Sequence, residues 1–219
     1  MKPAGFAEAL VGLGADQGDD RLLAVGRDLW QRWHEPHRDY HGVSHLRSGL
    51  AALSTLGAGP LEVVAWWFHD AVHHNDPPWD EQSSAALARE LLAGLLPDET
   101  VTQVARLVLL TINHDPAADD AAGQRLCDAD LVLIAAEPRD YRAGVAALRT
   151  ERPQLSQPEW DALRIAQTGM LLNRAQLFHT DHGRLHWEQP ARRNLTDERR
   201  MLFSPAARRA AANPEETSR

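Results

Sequence analysis

Apolar residues recur every three or four positions along most of this chain, and no segment alternates as a half-buried strand would. Asp19 or Asp20 is placed to cap a helix carrying Leu22, Leu23, Val25, Leu29, Trp30 and Trp33, which ends before Pro36. A polar turn over 37–42 leads to a second helix with Leu46, Leu50 and Leu53 on one face, broken at Gly57-Ala58-Gly59-Pro60. The spacing predicts a third helix over 61–74, stopped by Asn75-Asp76-Pro77-Pro78, and a fourth that Asp80 caps. Pro97-Asp98 opens another through Ile112 to His114, followed by a loop over 115–123. Helices over 126–135, from Pro138, over 160–178 and over 190–203 complete the pattern. The expectation is an all-α fold: one helical bundle over 1–205, with a flexible tail over 206–219.

The helix at 61–74 is the unusual one. Val63, Val64, Ala65, Trp66, Trp67 and Phe68 are solidly apolar, and His69-Asp70 follows at once. A carboxylate beside a buried run is costly unless it is paired or holds a metal. His69 and Asp70 therefore read as two ligands offered to one cation. Seven histidines (His34, His37, His41, His45, His69, His73, His74) precede residue 75. If His41 opens the second helix, His41 and His45 share a face at i,i+4. Downstream, Asp128 and Asp130 interrupt an apolar helix, and a two-residue step of about 200° means that only one of them faces inward.

Composition narrows the partners. The chain has 219 residues and a formal net charge of −8, against a broad nucleic-acid-binding face. Arginine is abundant while Lys2 is the single lysine, a bias that weakens any argument from arginine alone. The single cysteine, Cys127, excludes an internal disulfide and fits a reducing compartment. With no signal-peptide pattern and no apolar run of about 20 residues, the expectation is a cytoplasmic protein without a membrane partner.

The order His45, His69-Asp70, Asp130 resembles the HD superfamily of metal-dependent phosphohydrolases. Ala129-Asp130-Leu131 is similar to that superfamily's final aspartate, which selects Asp130 over Asp128. Glu35-Pro36-His37-Arg38-Asp39-Tyr40-His41, Phe68-His69-Asp70, Asp80-Glu81-Gln82-Ser83-Ser84-Ala85, Thr111 with His114, and Asp128-Ala129-Asp130-Leu131 resemble one branch known only as predicted HD phosphohydrolases. Glu188, Ala191-Arg192, Asn194-Leu195 and Glu198 are similar to its closing helix. The likeness runs over about residues 20–203.

This resemblance implies that His45, His69, Asp70 and Asp130 hold a divalent ion (Mn, Mg, Ni, Co, Zn or Fe) and that the substrate is a small phosphate ester, a nucleotide among the candidates. The Tyr40-His41 pair resembles that of cyclic nucleotide phosphodiesterases, which makes His41 the general acid. Arg38 is then the candidate phosphate clamp. Glu81 is a candidate to orient water or hold a second ion. His114 is a candidate substrate contact, ligand or support. His73 and His74 read as rim residues; Glu188, Arg192 and Asn194 as braces; and His179, His182 and His186 as connector. Two other readings share the pattern: a di-iron oxygenase drawing on His114 and His74, and a non-catalytic metal-stabilised binding domain.

Overall fold

The computed structural model describes residues 3–204, with side chains from residue 5; the tail expected over 206–219 lies outside the described residues. It is all-α: eleven α-helices and one 3-10 turn, with no strand among the described residues. No described helix is long and apolar enough to cross a membrane. The helices gather into two compact units, Met1–Val132 and Leu133–Arg219.

The first unit contains α1 (Pro3–Gly12), α2 (Arg21–Arg32), α3 (Val43–Thr55), α4 (Pro60–Phe68), α5 (Trp79–Leu92), α6 (Asp98–Leu110) and α7 (Ala121–Leu131). Helix α4 is at its centre, packed on α1, α3, α5, α6 and α7. Its Val64, Ala65, Trp66, Trp67 and Phe68 are all fully buried, so the helix is apolar on every side because it is covered on every side. The indole N–H of Trp66 donates to the Leu46 carbonyl of α3 at 2.9 Å, and that of Trp33 donates to the Trp67 carbonyl at 3.0 Å. Buried Glu62, beside the Gly59 amide at the start of α4, is clasped by Arg125 of α7. Residue 49 must be glycine, because a Cβ there would lie 1.9 Å from the Trp66 ring.

Several boundaries differ from the sequence expectation. Helix α4 ends at Phe68 instead of running to His74, because distant side chains take the backbone groups beyond it. Arg38 donates to the carbonyls of Asp70 (2.6 Å) and Ala71 (3.2 Å), and the Val72 amide donates to Ser84 Oγ (3.0 Å). Asp80 does not cap α5; its carboxylate accepts the amides of His74 (2.9 Å) and Asp76 (3.0 Å) and holds the same loop. Helix α3 opens at Val43, leaving His41 in the preceding turn. Helix α6 stops at Leu110, so His114 stands in a loop with φ of 50°. Helix α7 begins earlier than expected, at Ala121, where Asp120 accepts the Gly123 amide, and a 3-10 turn (Val132–Ala135) follows it. Helix α1 was not foreseen; it buries Phe6 and Leu10, and the Phe6 ring lies 5.4 Å from that of Trp67.

The second unit contains α8 (Pro138–Thr150), α9 (Gln157–Leu172), α10 (Asp181–His186) and α11 (Glu188–Phe203). The helix expected over 160–178 ends at Leu172. Buried Glu198 accepts from Arg164 (2.7 and 2.8 Å) and from Tyr141, tying α11 to α9 and α8. Burial and the adjacent Glu198 charge push the Tyr141 hydroxyl far above its ordinary range. The closing-helix residues are braces. Glu188 accepts the amides of Leu177 and Phe178, Arg192 donates to the carbonyls of Leu172, Arg174 and Ala175, and Asn194 donates to those of Ile134 and Ala136.

Candidate metal centre

Three segments of the first unit bring His45, His69, Asp70 and Asp130 together. His45 comes from the first turn of α3, His69 and Asp70 from the end of α4, and Asp130 from the last turn of α7. Their facing atoms form a small polygon. His69 Nε2 lies 3.0 Å from Asp70 Oδ2 and 3.7 Å from Asp130 Oδ1. His45 Nε2 lies 3.1 Å from Asp130 Oδ1, 3.6 Å from Asp70 Oδ2 and 3.2 Å from His69 Nε2. Bonds of about 2.1 Å to a shared ion put neighbouring ligand atoms about 3.0 Å apart at right angles and about 3.4 Å apart in a tetrahedron. Three of the observed separations fall between those two values and two, at 3.6 and 3.7 Å, lie just beyond them; His45, His69 and Asp70 are the trio whose ligand atoms all lie within 4.8 Å of one another. The His45 and His69 ring centroids are 5.2 Å apart, which matches about 5.2 Å for two imidazoles on a tetrahedral ion. Two Nε2 atoms turned on each other leave at least one lone pair facing another unless a proton or cation lies between.

The surroundings favour that donor state. His69 Nδ1 donates to the Trp66 carbonyl at 2.8 Å, so the neutral ring carries its proton there and presents a bare Nε2. The His69 ring also stacks on Trp66, with centroids 3.8 Å apart. Packing fixes His45, whose ring lies 5.4 Å from Tyr40 and 5.1 Å from Trp66; its Nδ1 is buried with no hydrogen-bond partner among the described residues. Burial opposes charge on His69, but the Asp70 and Asp130 carboxylates outweigh it and raise its pKa to about 9. Burial likewise opposes ionisation of Asp70, and the His69, His41 and His45 imidazoles reverse this, holding its carboxyl well below the usual range. Asp130 is also held low: burial is overcome by hydrogen bonds from His114 and His45 and by the charge of His69. A divalent cation would take the place of the protons that balance these two carboxylates.

His114 is brought to this cluster through Asp130, whose Oδ2 it meets at 2.8 Å. It therefore orients the carboxylate while Oδ1 faces the histidines. Asp128 is fully buried on the same helix. Glu81, in the first turn of α5, lies in the field of Asp70, Asp80 and Asp130. Burial first and those charges second raise its pKa, and its Oε2 is buried with no partner among the described residues. The His41 ring lies 5.8 Å from His45 and 4.2 Å from His73, from the turn before α3 instead of a shared helix face.

Arg38 does not serve as the expected phosphate clamp. Its side chain is wholly buried, with its donors on Glu35 and on the carbonyls of His41, Asp70 and Ala71. It shapes the turn that carries Asp70. His74 is exposed and stacks on His37 with centroids 6.3 Å apart. His73 is buried rather than at a rim, its Nδ1 3.9 Å from Asp80. The residues that sequence reasoning missed are the supports Glu62, Arg125 and Gly49, while Asp80 and Ser84 stood in a motif without their role in holding the loop after α4. Glu62 carried a signal, since it is a charge inside an otherwise apolar helical stretch; Arg125, beside Gln124 in a mixed helix, did not. Comparison with protein-family models, with curated proteins and with solved structures finds no match to this chain.

Proposed function

We propose that this protein is a metal-dependent phosphohydrolase of the HD type acting on a small phosphate ester. The observation that carries this reading is the meeting of His45, His69, Asp70 and Asp130 with ligand-atom separations suited to a single divalent ion. When bound, such an ion lowers the pKa of its water toward ~7 and neutralises charge on phosphoryl oxygens. Around it, His114 keeps Asp130 turned inward and Arg38 keeps the Asp70 turn in shape. Glu81 Oε2, buried and unpartnered among the described residues, is the acceptor at hand for a proton of the attacking water. His41 stands beside the ligand group rather than in it, as a proton donor to the leaving oxygen should.

The test is metal analysis of the purified protein together with phosphate release from a panel of phosphate monoesters that includes nucleotides. Turnover should vanish with a chelator, return with one added metal, and be absent in Asp130→Ala. Two tightly held irons with oxygen consumption would replace this reading with the oxygenase one. Bound metal with no phosphate released from any ester would favour a binding domain.

A further inference from the structure

Three histidines of the second unit remain outside this chemistry, and two of them form a pair. His182 and His186 stand four residues apart on α10, their ring centroids 4.5 Å apart and their planes at 42°. Residues at i and i+4 lie one above the other on a helix face. An imidazole bound through nitrogen at about 2.1 Å has its ring centroid about 3.2 Å from the ion, so two at right angles stand about 4.5 Å apart. The pair already has that spacing.

Its surroundings are arranged to keep it. Thr180 caps the helix by accepting the Gly183 amide at 3.0 Å, which fixes the turn carrying His182. The Trp187 ring meets that of His182 edge-on at 5.0 Å and is itself packed on buried Phe178 at 5.6 Å. His186 is exposed. The one cation between them in sequence, Arg184, is engaged by Asp181 and by the His179 carbonyl.

We infer that His182 and His186 form a second metal site, a surface chelate for an imidazole-seeking transition ion such as Cu²⁺, Ni²⁺ or Zn²⁺, with solvent completing the coordination. Two imidazole nitrogens favour these ions over Mg²⁺ or Ca²⁺. The site also has a structural consequence. A helix of six residues is too short to persist on its own, and an ion bridging i and i+4 locks one full turn of it.

The experiment is a Cu²⁺ titration of the full-length protein, read by calorimetry and by tryptophan fluorescence, in the wild type and in His182→Gln, His186→Ala, His45→Ala and Trp187→Phe. The wild type should bind one equivalent more than His186→Ala or His182→Gln, or bind it at least roughly 10–100-fold more tightly, the loss expected for a damaged metal site. That equivalent should persist in His45→Ala, which separates it from the first centre. It should quench fluorescence in the wild type, and this quenching step should be absent in Trp187→Phe while the stoichiometry is unchanged. An extra equivalent that survives both histidine substitutions, or that disappears in His45→Ala alone, would overturn the inference. So would Cu²⁺ binding identical in the wild type, His182→Gln and His186→Ala.

Discussion

Replacing Gly49 by alanine should damage the metal centre from a distance. The added Cβ would lie 1.9, 2.2 and 2.6 Å from Cζ2, Cε2 and Cη2 of Trp66, where carbon atoms need about 3.5–4.0 Å. Relief therefore takes a displacement of about 1.5 Å or more. The indole is not free to supply it, since it donates to Leu46 and carries the His69 ring on its face. Helix α3 has to move off α4. His45 travels with α3 and His69 stays with α4, so their 3.2 Å Nε2 separation opens beyond the roughly 3.4 Å that a tetrahedral ion spans. Overpacking costs about 1–3 kcal/mol, and a lost or bent Trp66 hydrogen bond about 1 kcal/mol more. Together these should lower the melting temperature of the chelator-treated protein by about 10 °C. The control is Leu53→Ala, a fully buried position on the same helix. It should cost a comparable 2–5 kcal/mol by leaving a cavity and not a wedge. Metal affinity, measured by titration of the stripped proteins, should fall at least tenfold in Gly49→Ala and by no more than about threefold in Leu53→Ala. Equal affinities in two variants of equal stability would refute the reasoning, as would a Gly49→Ala protein that melts like the wild type.

Alanine at His45 should lower metal content, whereas alanine at His41 should leave it intact and cut turnover by roughly 10²–10⁴-fold, with a smaller deficit on nitrophenyl esters; equal metal loss in both variants would remove His41 from the general-acid role. A proton competes with metal at His69, whose pKa stands at about 9, so metal affinity should climb by about tenfold per pH unit up to that value and then level off. The same shift has the opposite sign for the metal-free protein: stabilisation from the His69 imidazolium is complete below its unfolded value of 6.5 and is lost as pH rises through about 9. Melting of stripped protein should therefore move down between those limits, and a flat profile would contradict the charge assignment. In the second unit, Glu198→Ala strands buried Arg164 and should cost about 3–5 kcal/mol, while Glu198→Leu combined with Arg164→Met should recover most of it. Chemical denaturation of the two variants beside the wild type decides.

How much of this was legible beforehand depends on how far apart the interacting residues are. The all-α class follows from three-to-four spacing, a property of neighbours, and α4 announced its burial through Trp66, Trp67 and Phe68. Of the candidate ligands, the residues alone pointed to His69 and Asp70, a polar pair at the end of an apolar run; His45, and Asp130 in preference to Asp128, came only with the resemblance. The end of α4 was not legible. Apolar and polar residues continue past Phe68 as a helix would, and the groups that stop it, Arg38 and Ser84, come from 32 and 12 residues away. Arg38 was misassigned for the same reason, since its position beside Tyr40-His41 says nothing about the two carbonyls that consume it. Helix α1 escaped because Phe6, Ala9 and Leu10 are too few to set a period, and only their burial against the unit's core reveals their purpose.

The bond from His69 Nδ1 to the Trp66 carbonyl has an electronic consequence. That carbonyl belongs to the last turn of α4, where the peptide dipoles leave excess negative charge. Holding a proton against it gives the imidazole some imidazolate character, so Nε2 becomes a stronger σ-donor. A stronger donor leaves its ion a weaker Lewis acid, and two carboxylates push the same way. Water on an ion held there would ionise at a higher pH than on one held by three neutral histidines. If the site works as proposed, the buried tryptophan helix would shift the balance of work: less of a water's activation would fall to a bound ion and more to a neighbouring carboxylate such as Glu81.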